Sequence, residues 1–422
     1  MYQAAVIADD FTSVTDCTIS LASRGLSAAA LLDIPEGFPP AARVIGLNTE
    51  SRTQTPEEAY TRSRTAAEKL CEAGCRHIYK SVDSTLRGNL GAEIDGVMDG
   101  FGFSLAIVAP AFPHYGRTTI GGFHYLNGCL LENSYIASDP ACPAKDSEIR
   151  RILETQSRRK AGLLTLSTVR RNGKEFREAV RALRSEGCEL LIADAETEDD
   201  LGRIAEHAAA LEPCLAVGST GLIRHMADRW CGDTAANGVP FRKTEKGILV
   251  LAASVSPVTA AQIEELLKEG TAGRCLVPPG EAAFGEIREY VDQGAKILKD
   301  GFDLVFQVDA SAEARERSAL AARRAGLADG EVGERIVEAF SKAAAELLSL
   351  GISDAVVMTG GDMARAVLQE FGCDGMELYG EVEPGIPIGR LMGTKNFLAV
   401  TKAGAFGTPR ALCTACSMLK KQ

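Results

Sequence analysis

The stretch from Arg76 to Phe101 constrains the fold more than any other part of the chain. A short strand, Arg76 to Lys80, runs straight into the polar loop Lys80 to Gly91 (Lys-Ser-Val-Asp-Ser-Thr-Leu-Arg-Gly-Asn-Leu-Gly), and helical spacing resumes from Leu90 to Phe101. A strand that passes to a helix through a polar loop is the repeating unit of an open α/β sheet. Such loops collect at the carboxyl ends of the strands, where helix starts attract anions and ligands bind. Lys80 and Arg87 place positive charge beside Asp83, Ser84, Thr85 and Asn89. That mixture suits a small molecule with a carboxylate and several hydroxyls: a guanidinium grips the carboxylate through two bonds while acid and hydroxyl side chains take the alcohols. The same residues also read as an ordinary capped helix start with Asp83 paired to Arg87.

The unit recurs along the chain. Residues 2–8 are an apolar run of strand length, followed by Asp9-Asp10-Phe11-Thr12 and then apolar residues at helical spacing up to Gly25. Two adjacent carboxylates at a sheet edge suit a base for a hydroxyl or a magnesium ligand; alternatively Asp10 or Thr12 only caps the helix. Strands follow at Ala28 to Leu32 and Arg43 to Leu47, and the second ends in Asn48-Thr49-Glu50-Ser51-Arg52. Arg52 thus falls at the same edge as Asp9 and Arg87, unless it is a solvated loop arginine. A strand from Ser104 to Val108 comes next, then a hairpin from Gly121 to Leu131, strands near Leu163, Leu190 and Leu215, and a helix ending about Trp230.

With 422 residues the chain exceeds what one core usually serves, so two domains are expected. The periodicity is lost between Cys231 and Lys246, where Gly, Asn, Pro and charges replace it. The reading is a first domain over 1–235, a linker over 236–246 and a second domain over 247–422. The second repeats the pattern: a strand from Ile248 to Ala252 leads to Ser254 and a helix carrying Gln262, shorter units surround Leu276 and Val305, and a long helix spans Glu331 to Leu350. A strand from Ala355 to Met358 then delivers Thr359-Gly360-Gly361-Asp362-Met363, whose paired glycines let backbone amides approach a phosphate. Glu381 to Gly389 reads as a turn-rich loop, and the last strand, Phe397 to Thr401, ends in Lys402-Ala403-Gly404-Ala405-Phe406-Gly407. The fold class is α/β with two domains, each a mainly parallel sheet flanked by helices, and the active site is expected in the interdomain cleft.

A net charge of −11 argues against nucleic acid or an anionic membrane as partner, because either would need a basic face. The start has no basic segment followed by an apolar one, and no apolar run reaches the span of a bilayer, so a cytoplasmic protein is expected. The chain has twelve cysteines, expected as reduced buried thiols; neither Cys71/Cys75 nor Cys413/Cys416 has the second half that a structural zinc site requires. P-loop, dinucleotide, serine-hydrolase and zinc-protease signatures are all absent. The residues alone lead to a two-domain α/β enzyme of small anionic metabolites.

Several stretches, in order and over nearly the whole chain, resemble the four-carbon acid sugar kinase family. They are Ile7 to Thr12, Asp83 to Gly91, Val108 to Pro113 with Gly116 to Thr119, Ser254 to Thr259, Glu381 to Pro387 and Thr401 to Gly404. The resemblance implies ATP-dependent phosphorylation of D-threonate to D-threonate 4-phosphate with Mg2+, or of D-erythronate or a 3-oxo-tetronate. It implies that Asp9, Arg52, Asp83, Ser84, Thr85 and Arg87 hold the acid sugar, and that Ser254, Gly360, Gly361, Asp362, Met363 and Gly404 face ATP. Asp9 and Asp10 are the candidate catalytic acids. The partners implied are the acid sugar and ATP, and a homo-oligomer is compatible with the sequence. Departures from the family pattern are Ser13 and Val14 after the first motif, Asp362-Met363 where Glu-Thr is usual, and Ala405 where Gly is frequent. A sugar-acid clamp without chemistry would share the cleft but has no need of paired carboxylates. A dehydrogenase or aldolase would share the substrate loop, but the dinucleotide fingerprint is missing.

Overall fold

A computed structural model of the chain describes residues 2–22, 25–138, 142–211, 213–231, 240–253, 256–327, 331–393 and 397–421. The chain divides into two compact units, Met1–Gly238 and Val239–Gln422. Elements of the first unit are β1 (Ala4–Ala8), α1 (Phe11–Ala22), β2 (Ala28–Leu31), β3 (Val44–Asn48), α2 (Pro56–Glu72), β4 (His77–Ser81), α3 (Leu90–Phe101), β5 (Ala106–Ala109), β6 (Arg117–Ile120), β7 (Phe123–Leu126), β8 (Cys129–Leu130), α4 (Ile149–Gln156), β9 (Lys160–Leu164), α5 (Leu166–Val169), α6 (Gly173–Ser185), β10 (Cys188–Ala193), α7 (Glu198–Ala209), β11 (Leu215–Gly218) and α8 (Thr220–Trp230). The main sheet runs β2-β3-β1-β4-β11-β5-β10-β9, and each neighbouring pair is parallel. Helices cover both faces of such a sheet and leave no wet side, so β1, β2, β3, β5 and β11 are buried at every residue.

The order of this sheet decides where a ligand can sit. From β1 the chain crosses toward β2, and from β4 it crosses in the opposite direction toward β5, although β1 and β4 are neighbours. Loops that part in this way open a crevice at the carboxyl ends of the strands. A separate small sheet, β6-β7-β8, is antiparallel. The hairpin expected from Gly121 onward is therefore longer: Gly121 and Gly122, at φ 63° and 79°, form the turn between β6 and β7 rather than the start of a strand.

The second unit holds β12 (Leu249–Ala252), α9 (Pro257–Lys268), β13 (Ala272–Val277), α10 (Pro279–Phe284), α11 (Arg288–Lys299), β14 (Asp303–Val308), α12 (Ala312–Ala325), α13 (Glu331–Ser349), β15 (Ala355–Thr359), α14 (Gly361–Glu370), β16 (Gly375–Glu383), β17 (Ile386–Met392), β18 (Leu398–Lys402) and α15 (Ala411–Leu419). Its sheet runs β13-β14-β12-β15-β18-β17-β16, parallel through β18 and antiparallel beyond it. Val250, Val357 and Val400 of the central strands share a core with Ile263 of α9 and Leu412 of α15. The segment Glu381 to Gly389 is not a loop. Glu383 pairs with Ile386, so only Pro384 and Gly385 turn, and the flanking residues form a hairpin with two register shifts. In the expected linker, Thr244 bridges to Lys420 and its amide donates to the Leu419 carbonyl at 2.8 Å; residues 236–239 lie outside the described residues. Among the described residues no helix is long and apolar enough to cross a membrane.

Candidate functional site

Three neighbouring strands of the first unit, β3, β1 and β4, deliver their loops to one edge. Asp9 and Asp10 follow β1, residues 49–52 follow β3, and residues 82–89 follow β4. Arg52 crosses between them. Its Nε donates to Asp9 Oδ2 at 2.7 Å and its Nη2 to Asp9 Oδ1 at 3.0 Å, while Nη1 pairs with Asp10. It is not a solvated arginine, since its side chain is 17% exposed and that of Asp9 only 2%. Asp10 Oδ1 also accepts the Ser13 amide at 2.6 Å, so the acid that caps α1 is Asp10. Thr12 Oγ1 is buried with no hydrogen-bond partner among the described residues. Burial raises the Asp10 pKa, with Arg52 opposing and Asp9 adding to the rise. Of the two departures after this motif, Ser13 Oγ lies 3.5 Å from Arg52 Nη2, and Val14 is accommodated because Gly46 of β3 has no Cβ; one there would fall 2.6 Å from Val14 Cγ1.

The loop after β4 is organised around Asp83. Thr85 Oγ1 donates to Asp83 Oδ2 at 2.5 Å and Arg87 Nε donates to the same oxygen at 2.7 Å. Burial alone would raise the Asp83 pKa, but Arg87 and then Arg52 hold it well below the usual carboxylate range. The backbone here is strained: Leu86 has φ 58° and Glu50, in the loop after β3, has φ 46°. Each such non-glycine residue costs on the order of 1 kcal/mol, so the surroundings must hold these loops in place. Gly88, at φ 98°, is needed for a second reason: a Cβ would sit 3.3 Å from Asp9 Oδ2 and 3.4 Å from the Arg52 Cα. His124 of β7 fixes the buried Ser84 from above, its Nε2 lying 3.0 Å from the Ser84 carbonyl and its Nδ1 2.9 Å from Thr119 Oγ1. Burial pushes the His124 pKa down to about 4, so the ring is neutral near pH 7. The first-unit candidates Asp9, Asp10, Arg52, Asp83, Ser84, Thr85 and Arg87 all lie on these three loops.

Beneath them is a pair that the sequence reading did not place. Lys80 does not face a ligand. It is fully buried, and its Nζ lies 2.7 Å from Glu93 Oε2 on α3. Glu93 Oε1 accepts Ser51 Oγ at 2.8 Å, Ser51 Oγ lies 2.7 Å from Thr49 Oγ1, and Asn89 Nδ2 donates to the Ser51 and Gln54 carbonyls. The pair therefore anchors the loop that carries Arg52. Burial raises the Glu93 pKa, Lys80 opposes it, and the charge of Asp9 adds to the rise. A signal was available in two complementary charges set in otherwise apolar positions, Lys80 next to Ile78 and Tyr79 of a strand and Glu93 amid Leu90, Ile94, Val97 and Met98.

In the second unit β12, β15 and β18 are neighbours, and their loops also leave from one edge. Ser254 lies outside the described residues. Gly360 and Gly361 open α14, Asp362 is exposed in its first turn, and the Met363 side chain is buried in the core. The Gly360 amide donates to the Lys402 carbonyl at 2.8 Å, and the Gly404 carbonyl accepts Ser256 Oγ at 2.8 Å. Gly360, Gly361, Asp362 and Gly404 thus share the edge onto which the Ser256 end of α9 opens.

Two family models match the chain, a sugar-binding N-terminal domain over residues 4–226 and a nucleotide-binding C-terminal domain over residues 249–412. The D-threonate kinase of Salmonella typhimurium is 31% identical over 424 residues, covering 97% of this chain and 96% of that one. The 3-oxo-tetronate kinase of Burkholderia multivorans is 30% identical over 410 residues, with 95% and 94% covered. Among solved structures, a Salmonella typhimurium LT2 protein matches with a TM-score of 0.83 at 25% identity, covering 99% of both chains.

Proposed function

The chain belongs to the four-carbon acid sugar kinase family, and from that premise we propose that it transfers the γ-phosphoryl group of ATP to the 4-hydroxyl of D-threonate, with D-erythronate and 3-oxo-tetronates as the next candidates. The observation that supports the reading is the alternation of acids and guanidiniums on adjoining loops, Asp9–Arg52–Asp10 beside Asp83–Arg87. An aldonate offers one carboxylate and a row of hydroxyls, which is the complement of that arrangement. Arg87 is the first anchor for the carboxylate. Arg52, clamped by two acids, is the second, taking its share by exchange with Asp10. Asp83, Ser84 and Thr85 take hydroxyls. Phosphoryl transfer asks for positioning and charge stabilisation rather than a covalent nucleophile. Asp9 orients the attacking alcohol and Asp10, whose pKa burial raises, accepts its proton.

Mg2+ needs only one or two carboxylates beside phosphate oxygens and would neutralise charge on the transferred group; Asp10, the more exposed of the adjacent acids, would hold it only in place of serving as the base, since a metal-bound carboxylate is a poor proton acceptor. Residues 1–235 serve the acid sugar and 247–422 the nucleotide, with Ser254, Gly360, Gly361, Asp362, Gly404 and the backbone at Met363 on the ATP side. A coupled ADP assay over D-threonate, D-erythronate, 3-oxo-tetronates and neutral four-carbon polyols tests this reading. D-Threonate is expected to give the highest kcat/KM. Preference for D-erythronate would replace the substrate, and turnover of the polyols alone would refute acid recognition.

A further inference from the structure

A buried lysine lies under the loop that follows β18. Lys402 is the last residue of that strand and 1% exposed. Its ammonium has four acceptors within hydrogen-bond distance for its three N–H groups, the carbonyls of Ala403 at 2.9 Å, Gly404 at 3.3 Å and Phe406 at 3.3 Å, and Thr259 Oγ1 at 3.2 Å. Carbonyls of one short loop therefore solvate a charge that burial would otherwise make costly. From α9 and the Ser256 that precedes it, the same loop is tied by Ser256 Oγ and Thr259 Oγ1 to the Gly404 carbonyl, at 2.8 and 3.1 Å, and by Gln262 Nε2 to the carbonyls of Phe406 and Thr408, at 3.0 and 2.9 Å.

Inward carbonyls dictate where the amides go. In a planar trans peptide the C=O and N–H point in opposite directions. The amides sharing planes with those three carbonyls belong to Gly404, Ala405 and Gly407, and planarity turns them away from the ammonium; Ala405 is exposed, and Gly404 and Gly407 are half-buried. Successive outward amides form a concavity that takes an anion, and a fixed positive charge behind them strengthens it. We propose that Lys402 is a positioning residue that, from inside the fold, sets residues 403–407 so that the Gly404, Ala405 and Gly407 amides bind phosphate oxygens of the nucleotide. The inference rests on the nucleotide reading of the second unit and adds to it the residue that shapes the phosphate seat. Lys402 itself touches no phosphate.

The test is calorimetric titration of ATP, ADP and adenosine, and separately of D-threonate, into the full chain as wild type and as Lys402→Met, with circular dichroism to establish the fold. The variant is expected to weaken ATP and ADP roughly tenfold or more, as loss of hydrogen bonds to a charged group implies, and adenosine and D-threonate by less than about twofold. Should Lys402→Met not fold, Thr259→Val carries the test: it removes one acceptor of the ammonium and one donor to Gly404, and the smaller loss must again fall on ATP and ADP and spare adenosine. A folded variant that binds ATP as the wild type does, or that loses ATP and adenosine equally, overturns the role of Lys402. Absence of ATP binding in the wild type overturns instead the nucleotide reading on which it rests.

Discussion

Arg52→Met keeps most of the side-chain stem but removes the cation that Asp9 and Asp10 share and that also acts on Asp83. Breaking a buried ion pair from one side ordinarily costs about 3–5 kcal/mol. Asp9 is 2% exposed, but Asp10 is 23% exposed and partly screened, which sets the expected loss of stability near the lower bound, about 3 kcal/mol above neutral pH. The loss depends on pH with a definite sign. Burial already raises Asp10 while Arg52 restrains it, so removing the guanidinium lifts its folded pKa further above the unfolded value of 3.8. A group raised in this way contributes stability that is fully present below its unfolded pKa and is lost as pH rises through its folded one. The deficit of the variant against wild type should therefore be largest at pH ~8 and shrink toward pH ~5. Urea unfolding at both pH values measures it. Adding Asp10→Asn to the variant should recover about 1 kcal/mol or more at the higher pH, since one of two opposed carboxylates is gone. Equal stability of variant and wild type, or a deficit independent of pH, would refute the view that Arg52 holds these acids together.

Arg87→Ala should weaken acid-sugar binding by roughly 2–5 kcal/mol and leave the KM for ATP nearly unchanged; equal losses for both ligands would mean that Arg87 serves only its pair with Asp83. Asp9→Asn and Asp10→Asn should each lower kcat with calorimetric ATP binding intact, and wild-type kcat in both would reduce the two acids to a cap and an ion pair. His124, lowered by burial from 6.5 to about 4, contributes stability present above its unfolded pKa and lost as pH falls through its folded one. Acidification from pH ~6.5 to ~4 should cost about 3 kcal/mol through this residue, and a titration of unfolding free energy that keeps its full slope in His124→Gln would assign the loss elsewhere.

The strand, loop and helix around Asp83 were readable because apolar period and polar interruption are local, and α3 spans the residues expected of it, Leu90–Phe101. The hairpin at Glu383–Ile386 was missed because Pro384 and Gly385 dominate a short window, while the pairing that makes strands of their neighbours lies across the turn and in β18. Lys80 was misread for a related reason. A lysine beside a polar loop looks solvent-facing until α3 brings Glu93 to its ammonium.

Local chemistry, carried by residues a few positions apart, settled where the parallel strands of the first unit run, which loops hold the acids and guanidiniums, and that such loops end up at a parallel sheet's carboxyl edge. Partnership across long stretches of chain required the fold itself. Arg52 meets Asp9 across 43 residues, Ser51 meets Glu93 across 42 and Thr259 meets Gly404 across 145. Those contacts exist because β3, β1 and β4 lie side by side in one unit and β12, β15 and β18 in the other. Strand order is set by how non-local apolar surfaces pack, a property of the whole core that no short window of residues contains.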